Sequence, residues 1–288
     1  MAQGADQTAF GPMIIVAADQ HENPPLIVDE VARRTLPGAA RLAAAATAWR
    51  PVRRALFTAT EKKMPGLWAS MLCRKRFIDD KLLAAVETGI EAVVILGAGF
   101  DTRACRLPAL RGLPVFEVDL PANTTRKEAA LRKAFGRVPD GITLVGVDFE
   151  TQDLADELGK HGHRTARRTF FIWEAVTQYL TEAGVRRTLD VLSAAPAGSG
   201  LAFTYLRQDF LDGTASYGAQ AAYEDFVVKR RLWRFGLQPD GVATFLGQSG
   251  WHEVEQCGAA EFNDRYLGPS GRTLPVSEVE RSVYAERR

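Results

Sequence analysis

Residues 96–101, LGAGFD, set two glycines just past a β-branched run, where a strand would turn into a helix. Glycines at such a turn let backbone N–H groups approach a ligand closely. Twenty residues beyond Gly99, Asp119 closes a second β-branched run. A carboxylate there can accept hydrogen bonds from both hydroxyls of a ribose. Asp148 followed by Phe149 closes a third run and supplies an acceptor for an exocyclic amine beside an aromatic face, a combination suited to adenine. The dinucleotide fingerprint would need Gly or Ala at position 102, and Thr102 stands there, so close approach to a pyrophosphate is poorly prepared. The composite suits an adenosine-containing ligand and counts against a nicotinamide oxidoreductase. Each acid also has a plainer reading: Asp119 as a helix cap before Pro121, Asp148 as a turn acid.

These residues need a scaffold that brings successive strand ends together. Short β-branched or apolar runs at 92–96, 115–118, 142–147, 169–173 and 200–205 read as strands, and the first four end in a Gly or an acid. Helical stretches lie between them: 123–135 closes at Gly136, and the segment after Thr181 puts Val185, Leu189 and Leu192 on one face before Pro196. Ile78, Leu82 and Val86 recur at helical spacing up to Gly89, which places Arg74 near the start of that helix. Such alternation predicts a Rossmann-like, doubly wound α/β fold with a mostly parallel, seven-stranded sheet, the last strands being 251–256 and 282–287. Ligands in that architecture sit beyond the carboxyl ends of the strands. The expected organisation is one compact domain: a helical cap at 1–88, the ligand-binding core at 89–206, a helical insertion at 207–248 and closing strands at 249–288.

Composition narrows the function class. Lys and Arg number 36 against 35 Asp and Glu, so no strongly charged partner is implied and nucleic acid is not expected. Residues 31–82 do carry twelve basic residues against three acids, either solvated helix faces or a surface that attracts an anionic substrate. Cys73, Cys105 and Cys257 are too few and too far apart for a disulfide framework or a CxxC zinc site, and read as reduced thiols. Asp6 precedes any Lys or Arg, the apolar run 13–18 is too short for a signal peptide, and no run approaches the roughly 20 apolar residues of a membrane span. A cytoplasmic protein without membrane contact is expected.

A nucleoside without phosphate, joined to a cationic sulfur and an amino acid, is S-adenosyl-L-methionine. Arg74 could grip its carboxylate as a fork, and Glu174, at the end of the fourth strand, could face its ammonium or sulfonium. For Glu174 a buried charge pair is the plainer reading, and for Arg74 a surface role. The motifs CRKRFIDD (73–80), VVILGAGFDTRACRL (93–107), VFEVDLP (115–121), VGVDFE (145–150), WEAVTQYL (173–180) and SGW (249–251) carry a resemblance. In that order they resemble the leucine carboxyl methyltransferase family of class I S-adenosylmethionine-dependent methyltransferases, including its bacterial small-molecule branch. The resemblance implies that Arg74 binds the cofactor carboxylate, that Gly97, Ala98 and Gly99 line its methionine part, and that Asp119 holds the ribose. It likewise implies that Asp148 and Phe149 flank the adenine, with Glu174 and Tyr179 at the boundary between cofactor and acceptor and Tyr179 positioning the substrate. Two departures bear on the acceptor: Ala175 replaces a glycine often found after the acid, and Phe77 replaces a tyrosine of eukaryotic members.

The implied activity is O-methylation of a small molecule in bacterial specialised metabolism, preferably on a carboxylate, with S-adenosyl-L-homocysteine as product. A carboxylate is already anionic at neutral pH, whereas a phenol with a pKa near 10 would benefit from a base. Of the histidines, His161 and His163 are expected to face solvent, His252 to be a satisfied structural imidazole, and His21 to lie in an N-terminal stretch that could fold over the pocket; none is assigned to catalysis. The insertion and the basic N-terminal region are expected to form a lid. Trp68, Tyr217, Tyr223, Phe226, Trp233 and Phe235 either sandwich a flat ring or form plain core. A phenol O-methyltransferase, a nicotinamide oxidoreductase and a non-catalytic cofactor-binding protein are the alternatives.

Overall fold

Alternate residues of the central strands enter two separate apolar layers, as the two-residue period of a strand requires. The structure is a computed structural model that describes residues 11–36 and 38–288; Asp6 lies outside them. The strands are β1 (Ala92–Leu96), β2 (Val115–Asp119), β3 (Ile142–Gly146), β4 (Thr169–Trp173), β5 (Gly200–Arg207), the two-residue β6 (Gly236–Leu237), β7 (Trp251–Cys257) and β8 (Glu280–Arg287). They form one sheet in the order β3-β2-β1-β4-β5-β8-β7, with β6 paired to the end of β5. The pairs from β3 through β5 are parallel, and β8 runs antiparallel to both β5 and β7. Seven long strands therefore match the expected number, and β6 is an addition.

Val93, Ile95, Phe170, Ile172 and Ala202 bury one face against the helix Leu67–Glu87 and the helix Gly11–Asp19. Val94, Leu96, Phe171, Trp173, Phe203 and Tyr205 bury the other face, against helices Leu154–Lys160, Glu182–Leu192 and Val242–Gly247. Helices on both faces make the sheet doubly wound. The predicted stripe Val185, Leu189 and Leu192 is buried. Thr181 caps its helix by accepting from the Gly184 N–H at 3.1 Å, and Gly136 ends the helix Pro121–Phe135 in the left-handed region at φ 81°. The apolar run 13–18 lies within the helix Gly11–Asp19 and packs into the first layer. Among the described residues, no helix is long and apolar enough to cross a membrane.

Three local expectations are corrected. The helix carrying Arg74 begins seven residues before it, at Leu67, so Arg74 is two turns in. That helix is buried nearly all round (Trp68, Leu72, Cys73, Phe77, Ile78 and Leu82), which erases the one-sided period that would have marked its start. His252 is exposed, because it alternates with buried Trp251 on the edge strand β7. His163 is half-buried: its ring meets Phe116 edge-on at 5.3 Å and its Nε2 lies 3.2 Å from Thr169 Oγ1.

The region 207–248 is only partly helical: short helices at Gln208–Leu211 and Val242–Gly247 flank a single π-helical turn, Tyr223–Lys229. Phe210 and Trp233 anchor its first half in a third apolar cluster with Met64, Leu206 and Val279, and Phe226 stacks on Trp233 at 4.4 Å. Trp68 packs edge-on against Phe57, and Phe235 packs on Phe245, so these aromatics serve as core.

Candidate functional site

β1 is flanked by β2 on one side and β4 on the other, so the chain leaves its carboxyl end at the point where the strand order reverses. Open α/β sheets bind ligands at that crevice. The predicted residues follow the strands that converge there: Gly97, Ala98 and Gly99 after β1, Asp119 at the end of β2, Asp148 and Phe149 just past β3, and Glu174, the residue after β4. Tyr179 ends the short 3₁₀ turn Thr177–Tyr179 and packs against the cluster built around Phe210 and Trp233.

The first turn is specified by glycine on two grounds. Gly97 has φ 65°, and a Cβ placed there would stand 2.2 Å from Val176 Cγ2, so the turns after β1 and β4 touch through this position. Gly99, at φ 45°, donates its N–H to Asp119 Oδ2 at 2.6 Å. Asp119 Oδ1 accepts from the Leu120 N–H at 2.7 Å and from Asn123 Nδ2 at 2.8 Å, which fixes the carboxylate at the carboxyl end of β2. The helix cap is Leu120 rather than Asp119. Asp148 Oδ1 accepts from the Glu150 N–H at 3.0 Å, so the turn geometry read from the sequence is present, with Phe149 half-buried beside it.

Arg74 and Glu174 meet directly, with Nε to Oε1 at 2.9 Å. Glu174 also receives Lys75 at 3.2 Å and Arg103 Nη1 at 2.8 Å. Arg103, among the largest fully buried side chains, pairs in addition with Asp79 at 2.7 Å and with Asp101. Arg106 joins Asp79 at 2.5 Å and approaches Asp29 at 3.5 Å, while Thr102 Oγ1 donates to Asp29 Oδ2. Glu280 of β8 binds the other side of Arg74, Nη1 to Oε2 at 2.5 Å. Burial alone would raise the Glu174 carboxyl, but Lys75, Arg103 and Arg74 outweigh it and hold it well below the usual carboxylate range. Burial raises Asp101 too, and Arg103 and Lys75 bring it below its ordinary value. At the far end, burial dominates at Asp29 and raises it.

The residues that sequence reasoning left without roles are therefore Asp29, Lys75, Asp79, Asp101, Arg103, Arg106 and Glu280. Five of them, Lys75, Asp79, Asp101, Arg103 and Arg106, stand inside the quoted motifs, as charges in or beside apolar runs, which was the available signal. Thr102, weighed only as a misfit to the dinucleotide fingerprint, is buried and serves Asp29. The histidines lie elsewhere: His161 and His252 are exposed, His163 leans on the first residue of β4 at the opposite edge, and His21 is exposed beyond the helix Gly11–Asp19.

A family model for leucine carboxyl methyltransferase matches residues 9–193, more than half of the chain. The chain belongs to that family. A protein of Parafrankia sp. (strain EAN1pec), provisionally named an S-adenosyl-L-methionine-dependent methyltransferase, is 35% identical over 65% of this chain and 59% of its own length. A Streptomyces avermitilis protein with the same provisional name is 32% identical over 63% of this chain and 62% of its own. The matched region thus spans about three fifths of these curated relatives. Among solved structures, a provisionally assigned methyltransferase from Thermobifida fusca aligns with a TM-score of 0.60 at 18% identity, covering 82% of this chain and 88% of that one. That likeness supports the Rossmann-like fold.

Proposed function

We propose that this protein transfers the methyl group of S-adenosyl-L-methionine to an oxygen of a small molecule, a carboxylate in the leading reading. The observation that carries the reading is the buried charge cluster at the switch point. It holds five carboxylates (Asp29, Asp79, Asp101, Glu174, Glu280) against four bases (Arg74, Lys75, Arg103, Arg106), one cation short when all are ionised. A ligand with a sulfonium, an ammonium and one carboxylate carries a net charge of the complementary sign and offers a group for Arg74. The names of the curated relatives point to the same cofactor.

Arg74 would hold the cofactor carboxylate, Asp119 the ribose hydroxyls, and Asp148 and Phe149 the adenine; the glycine turn 97–99 would face the methionine part. When bound, the cofactor supplies an electrophilic methyl group on a positively charged sulfur. The protein's own part is to orient and to exclude water, which favours an in-line displacement without protein nucleophile or acid. Tyr179 would position the acceptor, and the insertion 207–248 with the N-terminal helices would cover the crevice. No histidine stands among the residues of the carboxyl edge just described, which favours an acceptor that is already an anion over a phenol needing a base. A role in bacterial specialised metabolism is part of the same proposal, and three free thiols suit a cytoplasmic setting.

A labelled-methyl assay over a panel of carboxylic acids and phenols tests the proposal. Base-labile label, the mark of a methyl ester, is the expected product. Base-stable label would move the acceptor to a phenol, and failure of the protein to bind S-adenosyl-L-homocysteine would remove the cofactor reading.

A further inference from the structure

The charge on Arg74 is balanced from two directions, and one of them comes from the far end of the chain. β8 pairs with β5 so that Glu280 stands opposite Leu206 and Ser282 opposite Thr204. From there the Glu280 carboxylate reaches back over the carboxyl edge. Its Oε2 accepts from Arg74 Nη1 at 2.5 Å and its Oε1 accepts from Thr204 Oγ1 at 2.7 Å. Thr204 Oγ1 in turn accepts from the backbone N–H of Ala175 at 2.8 Å, and the Thr204 carbonyl accepts from Thr177 Oγ1 at 2.7 Å. A hydroxyl has one proton, so the direction of the chain is fixed: Ala175 N–H to Thr204 oxygen, Thr204 O–H to Glu280, with Arg74 donating to the same carboxylate from the other side.

Ala175 is where such a restraint matters. It follows Glu174 with φ 57°, a left-handed conformation in which a non-glycine residue persists only when its surroundings over-determine it. Resting on the cofactor reading above, we propose that Glu280 is a positioning residue: one carboxylate sets both the plane of the Arg74 guanidinium and, through Thr204, the turn that presents Glu174. With Nε held by Glu174 and Nη1 by Glu280, Nη2 is the corner of Arg74 that has no partner among the described residues, and the cofactor carboxylate would meet it.

The substitutions Glu280→Gln, Thr204→Val and Thr204→Ser test this in the full chain, with S-adenosyl-L-homocysteine as the titrated probe and thermal unfolding read in parallel. A glutamine loses the charge and offers an NH2 donor in place of one oxygen, so it cannot accept from Thr204 and Arg74 through separate oxygens as Glu280 does. Glu280→Gln is expected to weaken binding about tenfold, and to raise KM for S-adenosyl-L-methionine while kcat stays within about twofold. Thr204→Val should weaken binding in the same sense, and Thr204→Ser, which keeps the hydroxyl, should restore it. Unchanged affinity in Glu280→Gln, beside a wild type that binds, overturns the positioning role alone. So does a Thr204→Ser variant as weak as Thr204→Val. A wild type that does not bind the probe overturns the cofactor reading and this inference with it.

Discussion

Gly97→Ala perturbs a close approach between the turn after β1 and the turn after β4. Alanine at φ 65° costs about 1–2 kcal/mol in the left-handed region, offset by about 0.4–1 kcal/mol of reduced freedom in the unfolded chain. The larger part is steric. The new Cβ would lie 2.2 Å from Val176 Cγ2 and 3.2 Å from its Cβ, so the valine must move, at about 1–3 kcal/mol of overpacking. The net destabilisation is about 2–4 kcal/mol, read by denaturant unfolding. The cycle with Val176→Ala separates the two contributions: Val176→Ala alone should cost about 1–2 kcal/mol for its lost methyl groups, and the double variant should recover the steric part, giving a coupling of about 1–3 kcal/mol. Additive single effects, or a Gly97→Ala cost under about 0.5 kcal/mol, would refute the claim that these turns are in contact.

Asp119→Ala should weaken S-adenosyl-L-homocysteine binding by about 1–3 kcal/mol, about 5- to 150-fold by calorimetry, since it removes the carboxylate proposed to accept from the ribose hydroxyls; unchanged affinity takes Asp119 out of the site. Glu174→Gln leaves Arg74, Lys75 and Arg103 short of their shared buried anion and should cost about 3–5 kcal/mol of stability. The pH dependence has a definite sign. Glu174 and Asp101 have folded pKa values below their unfolded ones, so their stabilisation is present above the unfolded carboxylate range, near pH 4, and is lost as pH falls further. Asp19, Asp29 and Glu117 are raised by burial and act in the opposite sense, so the informative quantity is the difference between wild type and Glu174→Gln. That difference should shrink below about pH 4, and parallel profiles would contradict the assignment.

The sheet was legible because its strands are short, apolar and punctuated. β1 and β4 coincide with the β-branched and aromatic runs, and β5 and β8 extend two residues beyond theirs. The helix around Arg74 was legible only in its second half, where Ile78 and Leu82 precede the exposed end; its first two turns, 67–73, carry no charge and are buried or half-buried on every side. The aromatics of the 207–248 segment pack on each other across short turns, so no helical period runs through it. Strand-end acids could be picked out one at a time, but the ion cluster could not. Arg74 meets Glu174 across 100 residues and Glu280 across 206, and only the sheet register determines such pairs. Ala175, noted as a departure from a frequent glycine, turns out to occupy a left-handed position, which is the physical reason glycine suits it.

Titrating the protein with S-adenosyl-L-homocysteine, and separately with NADH, tests the central claim most directly. Saturable one-to-one binding of the first that is weakened in both Arg74→Ala and Asp119→Ala, with no response to the second, is the predicted result. Binding of NADH in its place, or binding of S-adenosyl-L-homocysteine that both substitutions leave intact, would contradict it.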